Sequence, residues 1–584
     1  MKSNNSIFKW ILVIILWVGF THPVWGQSAQ KAGFYTLEEI NTYFHTGSYF
    51  NRTALRSSKA RMWYVFQPAN EDSASKPLFV FFNGGPGGAT SSGLLSAYTG
   101  NKAVLVDKTT GTSSVINNPH SWTQIGNLLH IDARTTGFSY SLMESPSDAV
   151  LRKSEFDAQN YNYFFDGADF IRVILRFLSD HPELQKNRVV IVGESYGGIR
   201  ASSMLHLLHY YEKYENGQAV YQDPALVQEI RTHYSTVFPG FQGQTVPREV
   251  ISQQFGHQIL IQAAVSRYNQ RLIATQILEA PGSILDQLAS ETGVLYVRWK
   301  DQPWNSGTPT PNQIMNNVYA YLETINRDPY IYSKPDGFLW GFFTAAADLL
   351  IKYNTLNQMI GMDSANIPEL YASARLQAYK TILNPNAAAQ ISFSTQLDLP
   401  EKKRLLHSIF FPAMEDDFTS IFGVLQPWDR YFIDLNDDAN TAFTLNKTTF
   451  YGYELRYSIF PLFGQMFLEN VALVETFFTN ADYDIVVYSP SLPDALALHS
   501  DILFSSIHDS TGPSGAARPG QIHLNYRASS VPGADVSTTT IRFPRYTKSG
   551  HAVTLTEPKE MLDDVKTWLG KSGVTFPVQK GEKK

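Results

Sequence analysis

Cysteine is absent from all 584 residues. That excludes disulfides, thiolate metal ligands, a cysteine nucleophile and a lipid-modified N-terminal cysteine. Charge is sparse too. Asp, Glu, Lys and Arg make up 17% of the chain and sum to −6, with no basic cluster, so nucleic acid is excluded as a partner. The zinc-type H-E-x-x-H pattern is missing and the 14 histidines are scattered; no cofactor or metal is expected. Long apolar runs are missing with one exception, Trp10 to Phe20. It follows Lys2 and Lys9, precedes Val24-Trp25-Gly26, and is short for a bilayer span. Those three parts have the layout of a secretory signal peptide. Residues 1–26 are therefore expected to be removed, leaving a secreted or periplasmic protein, soluble from about Gln27 and without stable membrane association. Aromatics are not scarce, at 13%, and the composition is that of an ordinary globular protein.

What is present centres on Arg188 to Ser203, RVVIVGESYGGIRASS. Val189 to Val192 is a continuous β-branched run, the mark of a strand buried on both faces. Gly193-Glu194-Ser195-Tyr196-Gly197 follows at once. Ile199 to Tyr214 then has helical spacing at Met204, Leu205 and Leu208. A serine on a tight turn between buried strand and helix is the nucleophile elbow of α/β-hydrolases. The free N–H groups of the helix start point to where an oxyanion would form.

Taken in order, Arg61 to Phe66 and Lys76 to Phe82 read as strands, the second running into Asn83-Gly84-Gly85-Pro86-Gly87-Gly88. A glycine cluster after a buried strand is where an oxyanion loop sits. Asn127 to Asp132 reads as a third strand and Asp169 to Leu178 as a helix. This alternation predicts a mostly parallel sheet flanked by helices, the α/β-hydrolase fold. After Gly217 the pattern loosens, with Gln258 to Val265 as one more strand. Residues 266–470 carry mainly helical periodicity and read as an insertion or cap over the site. Sheet signals return from Val471, then Thr539 to Arg542, and a helix spans Glu557 to Leu569. The expected layout is thus core 27–265, helical insertion 266–470, core 471–575 and a polar tail 576–584.

A hydrolase triad on this fold runs Ser, acid, His along the chain. Downstream of Ser195, His551 fits best, in a Gly-His turn before the last helix, whereas His499, His508 and His523 do not. Asp484 precedes it, after a strand. A neutral imidazole with a carboxylate on one nitrogen can take the serine proton and return it to a leaving group.

These residues resemble the serine carboxypeptidases, family S10. Asn83 to Gly87 is similar to that family's N-G-G-P-G box, and Asn118-Pro119-His120-Ser121-Trp122 to its N-P-x-S-W. Asp132 with Gly137-Phe138-Ser139-Tyr140-Ser141 resembles D-x(4)-G-F-S-Y-S. Gly193 to Gly198 resembles the nucleophile box, Asp482-x-Asp484 the D-x-D, and Gly550-His551-x-Val553 with Pro558 the histidine box. The resemblance covers about residues 61–203 and 471–569.

It implies Ser195 as nucleophile, His551 as general base and Asp484 as its orienter. The N–H groups of Gly85 and Tyr196 would form the oxyanion hole. Asn83, Gly84 and Glu194 would meet the terminal carboxylate of a peptide substrate, Glu194 in its protonated form, favouring activity on the acid side of neutral. Many members form homodimers, so the resemblance allows one here. The sequence also departs from the family. Gly93 to Gly100, where a second glutamate is usual, contains no acid, and Phe81, Gly88 and Ala481 stand where tryptophan, cysteine and glycine are usual. The expected activity is release of C-terminal residues from peptides through an acyl-enzyme. The runner-up is a serine esterase or acyltransferase, which the unpaired Glu194 supports, and a silent binding protein using an aromatic cap is a third class.

Overall fold

The computed structural model describes residues 31–46, 50–84, 88–106, 113–141, 163–265, 279, 281–303, 460–497, 504–509, 520–527 and 536–571, less short gaps, with isolated positions between 317 and 346. The signal segment 1–26, Gly85, most of 266–470 and the tail 576–584 lie outside the described residues.

In chain order, the elements that build and flank the site are β1 (Lys31–Leu37), β2 (Ala60–Gln67), β3 (Leu78–Phe82), β4 (Asn127–Ile131), α1 (Tyr163–Asp180), β5 (Val189–Glu194) and α2 (Gly197–Tyr210). They continue as α3 (Pro224–Val237), α4 (Arg248–Phe255), β6 (His257–Ile261), α5 (Phe460–Val471), β7 (Glu475–Phe478), β8 (Phe504–Asp509), β9 (Gln521–Arg527), β10 (Val536–Arg542), α6 (Val553–Thr556) and α7 (Pro558–Lys571). The strands form one sheet in the order β1-β2-β4-β3-β5-β6-β7-β10-β9-β8. From β4 to β10 neighbours pair in parallel. The outer strands on both sides are antiparallel. A mostly parallel centre flanked by helices is the α/β-hydrolase architecture.

The β-branched run behaves as its composition requires. Val189 and Ile191 enter one core cluster with Phe170, Ile174 and Phe177 of α1 and Met204 of α2. Val190 and Val192 enter the opposite cluster with Trp122 and with Met561, Val565 and Trp568 of α7. Leu78, Val80 and Phe82 of β3 alternate with Phe79 and Phe81 in the same way. Burial on both faces leaves only the strand ends open for chemistry. Helix α5 lies across the expected boundary at 470 and packs on α2: Asn470 Nδ2 donates to Ser202 O at 2.9 Å, and Glu469 pairs with His206 at 2.8 Å.

Among the described residues no helix is long and apolar enough to cross a membrane.

Candidate active site

The elbow sits where β5 stops. Ser195 has φ of 59°, a left-handed conformation that is strained for a non-glycine residue. Neighbouring backbone over-determines it. Ser195 N–H donates to Ile261 O (3.0 Å), while Ser195 O accepts from Gly198 N (2.9 Å) and Ala264 N (3.0 Å). Gly193 is required because a Cβ there would lie 2.5 Å from Gly197 O. Gly84 is required because its Cβ would lie 2.5 Å from Tyr196 N and 2.7 Å from Ser195 Cβ. Gly84 is thus pressed directly against the turn that bears Ser195.

Asn83 is held at every polar atom. Its N–H donates to Thr90 Oγ1 (3.1 Å), its Oδ1 accepts from Leu94 N (2.8 Å) and its carbonyl accepts from Arg200 Nη1 (2.6 Å). Its amide Nδ2 donates to Glu194 Oε2. The other matching boxes brace this loop. Asp132 accepts from Ser91 N (2.8 Å) and Phe138 N (2.9 Å). Trp122 meets Phe79 and Phe81 edge-on at 5.5 and 5.3 Å.

The second half of the site arrives from far along the chain. A short parallel bridge joins Asn480–Ala481 to Arg545–Tyr546. Asp482 N donates to Tyr546 O and Tyr483 N to Ser549 O, each at 3.1 Å, fastening the acid loop to the histidine loop. Glu557 closes the latter by accepting from Lys548 N (3.0 Å) and Ser549 Oγ (2.8 Å). The result is a hydrogen bond of 3.0 Å between His551 Nδ1 and Asp484 Oδ2. Asp484 is 1% and His551 6% exposed. Its other oxygen, Oδ1, accepts from Val487 N at 3.1 Å. Asp482, the other carboxylate of the D-x-D, is turned away and gripped by Arg545 through two bonds of 2.7 and 3.0 Å.

The electrostatics join the two halves. Burial drives the Glu194 carboxyl up, and the Asp484 charge adds to this. His551 and the Asn83 hydrogen bond oppose it, and Glu194 titrates at about 7. Burial pushes His551 down, but the charge and hydrogen bond of Asp484, together with the Glu194 charge, outweigh it and leave His551 above its ordinary value. Glu194, adjacent to Ser195, therefore shares one electrostatic environment with the His551–Asp484 pair.

The structure packs Asn83 and Gly84 against Glu194, Ser195 and Tyr196, pairs Asp484 with His551, and couples that pair electrostatically to Glu194; Gly85 lies outside the described residues. Among the described residues no group of three or more His, Asp or Glu could hold a metal ion. Two neighbours escape sequence reasoning. With its carboxamide turned to satisfy both ends, Gln262 donates to Asp484 Oδ2 (2.9 Å) and Ser489 Oγ (2.6 Å). It has φ of 46°, and no sequence pattern marks a glutamine for that conformation. Arg200 is the other; its place on a helix after the elbow looks like any surface arginine, yet it is fully buried.

Residues 38–270 match the serine carboxypeptidase family. "Serine carboxypeptidase-like 21" of Arabidopsis thaliana is 26% identical over 176 residues, which is 30% of this chain and 33% of the relative. "Serine carboxypeptidase 3" of Triticum aestivum is 29% identical over 187 residues, 30% of this chain and 34% of the relative. The match to each thus spans about a third of the relative's length. Among solved structures, a prohormone-processing carboxypeptidase from Saccharomyces cerevisiae aligns over 93% of this chain and 91% of its own, with 14% identity and a TM-score of 0.41. The family match ends before Asp484 and His551, whose pairing stands on the geometry above. Across the segment that holds the glycine box, the braced loop and the elbow, the chain is similar to the serine carboxypeptidases.

Proposed function

We propose that this chain is an exported serine carboxypeptidase-like hydrolase that removes C-terminal residues from peptides. The observation that carries the reading is the buried His551–Asp484 pair standing beside the Asn83–Glu194 pair at the elbow. Ser195 Oγ attacks the scissile carbonyl while His551 takes its proton on Nε2, the nitrogen opposite the one bonded to Asp484. Negative charge on the carbonyl oxygen is met by the N–H groups of Tyr196 and Gly85. His551 then gives the proton to the leaving amine, and water releases the acyl group by the reverse sequence. Asp484 holds the imidazole in the tautomer this requires.

Asn83, Gly84 and Glu194 receive the substrate's terminal carboxylate. Only a protonated Glu194 can donate to it, so recognition is present below about pH 7 and lost above it. The base must be neutral at the same time. Protonating Glu194 removes one of the charges that raise His551, leaving those of Asp484.

A second reading, a serine esterase or acyltransferase, is favoured by the run Gly93 to Gly100. It contains no acid, and Ala97 is buried at its centre. The deciding experiment offers a blocked dipeptide as free acid, amide and ester at pH 4.5 and 7.5. Fast turnover of the free acid, strongest at low pH, supports the carboxypeptidase; ester turnover with the free acid untouched transfers the assignment to the second reading. Export is tested separately, by sequencing the N-terminus of the mature protein for cleavage near Gly26.

A further inference from the structure

Arg200 and Asp166 form an ion pair with 0% exposure on either residue, directly behind the elbow. Arg200 Nε donates to Asp166 Oδ2 at 2.7 Å, and Nη1 donates to the backbone carbonyl of Asn83 at 2.6 Å. The guanidinium carbon lies 4.5 Å from the ring centre of Phe170, 5.3 Å from Phe82 and 5.4 Å from Tyr196. One buried pair therefore touches both strands of chain assigned above to the oxyanion hole: Tyr196, and the residue that leads into Gly84 and Gly85.

We infer that Arg200, held by Asp166, is a positioning residue that fixes the orientation of the oxyanion donors relative to Ser195. The inference rests on the hydrolase reading given above. The Asn83–Gly84 peptide is planar, so pinning its carbonyl fixes the direction of the Gly84 N–H as well. Gly84 is already in contact with Ser195 Cβ and Tyr196 N, and a small rotation of that peptide displaces the chain that continues to Gly85. Stability alone does not call for this chemistry, since buried ion pairs can often be replaced by apolar groups without loss. What an apolar residue lacks is a donor for the Asn83 carbonyl. Lysine is also no equivalent, because one ammonium on a flexible stem does not reproduce a rigid fork serving two acceptors.

The test compares the wild-type protein with Arg200→Lys, the double variant Arg200→Met/Asp166→Asn, and the single variant Asp166→Asn. The substrate is an ester without a terminal carboxylate, so that Asn83 and Glu194 recognition is not read. Rates are normalised to folded protein from the thermal transition, and labelling of Ser195 by a fluorophosphonate is followed in parallel. Oxyanion donors act in the transition state, so kcat is expected to fall about 10- to 100-fold in both arginine variants with KM within about twofold. Asp166→Asn, which keeps an acceptor for Arg200 Nε but removes the charge, is expected to lower kcat about three- to tenfold. A folded arginine variant with kcat within about twofold of wild type overturns the inference, as does a rise in KM at constant kcat. Should the arginine variants fail to fold, an unchanged kcat in Asp166→Asn overturns it. If the wild-type protein itself is not labelled at Ser195, the hydrolase reading fails and the inference fails with it.

Discussion

Replacing Glu194 by Gln removes a buried proton-binding group while keeping its shape. Glu194 is raised from 4.5 to about 7, chiefly by burial. At 1.36 kcal/mol per pK unit that shift corresponds to about 3 kcal/mol. The sign follows from proton counting. Between about pH 4.5 and 7 the folded protein keeps a proton that the unfolded chain has lost, so stability falls as pH rises through that window. Glutamine does not titrate. The stability of Glu194→Gln relative to wild type is therefore expected to improve by about 3 kcal/mol between pH 4 and pH 9, a gap of about 2–3 °C in thermal midpoint for a chain of this length. Attraction between Glu194 and His551 does not enter at pH 4, where Glu194 is neutral. The assay is a series of thermal unfolding curves for both proteins across that range. The same proteins are assayed on a blocked dipeptide as free acid and as ester. The wild-type KM for the free acid should climb above about pH 7 and the variant's should not, while ester turnover changes little. Parallel stability curves, with a wild-type KM flat from pH 5 to 8, would refute the reasoning that burial keeps this carboxyl protonated.

Other substitutions probe single parts of the site. Ser195→Ala and His551→Ala are each expected to lower kcat by several orders of magnitude, measured on the ester. Asp484→Asn should lower it by about 10³- to 10⁴-fold. Asp482→Asn, which loosens the Arg545 pair, should lower the thermal midpoint and spare turnover per folded molecule; the reverse outcome would exchange the roles of the two acids. Gly84→Ala forces a methyl group into Tyr196 N and Ser195 Cβ and is expected to cut kcat by about 10²-fold or more. Ser195→Gly should be more stable than Ser195→Ala by about 1 kcal/mol in denaturant titrations, because only glycine relaxes at φ of 59°.

Much of this was legible in the residues because the strongest signals were local. The run Val189 to Val192 and the alternation in Leu78 to Phe82 sit on β5 and β3 within one or two residues of the expected bounds. The glycines around Ser195 mark contacts that only a missing side chain permits. Of the antiparallel outer strands, β1, β8 and β9 were not read. β8 and β9 are Ser-, His- and Asn-bearing segments whose pairing is set by each other and by β10 rather than by an apolar run. Helix α3 was missed although Asp223 caps it by accepting from Leu226 N and Pro224 opens it; a pattern judged loose after Gly217 hid a regular start signal. Arg200 and Gln262 carry no signal at all, since their roles depend on atoms more than 30 residues away in the chain: Asp166 and Asn83 for one, Asp484 for the other.

The split between the two halves of the site has a consequence for how the protein comes into being. Strands β3, β5 and β6 and the whole elbow are contained in the first 265 residues, whereas β7 docks on β6 only after some 200 more have been made. His551 is later still. Closing contacts of such sequence separation is slow, and it comes after local structure has formed. On the roles proposed above, Ser195 therefore exists for a long interval of synthesis without His551, and the chain would be chemically silent while its own peptide bonds are most exposed. Competence arrives in one late step, when β7 and β10 complete the sheet and the turn bearing His551 swings into place.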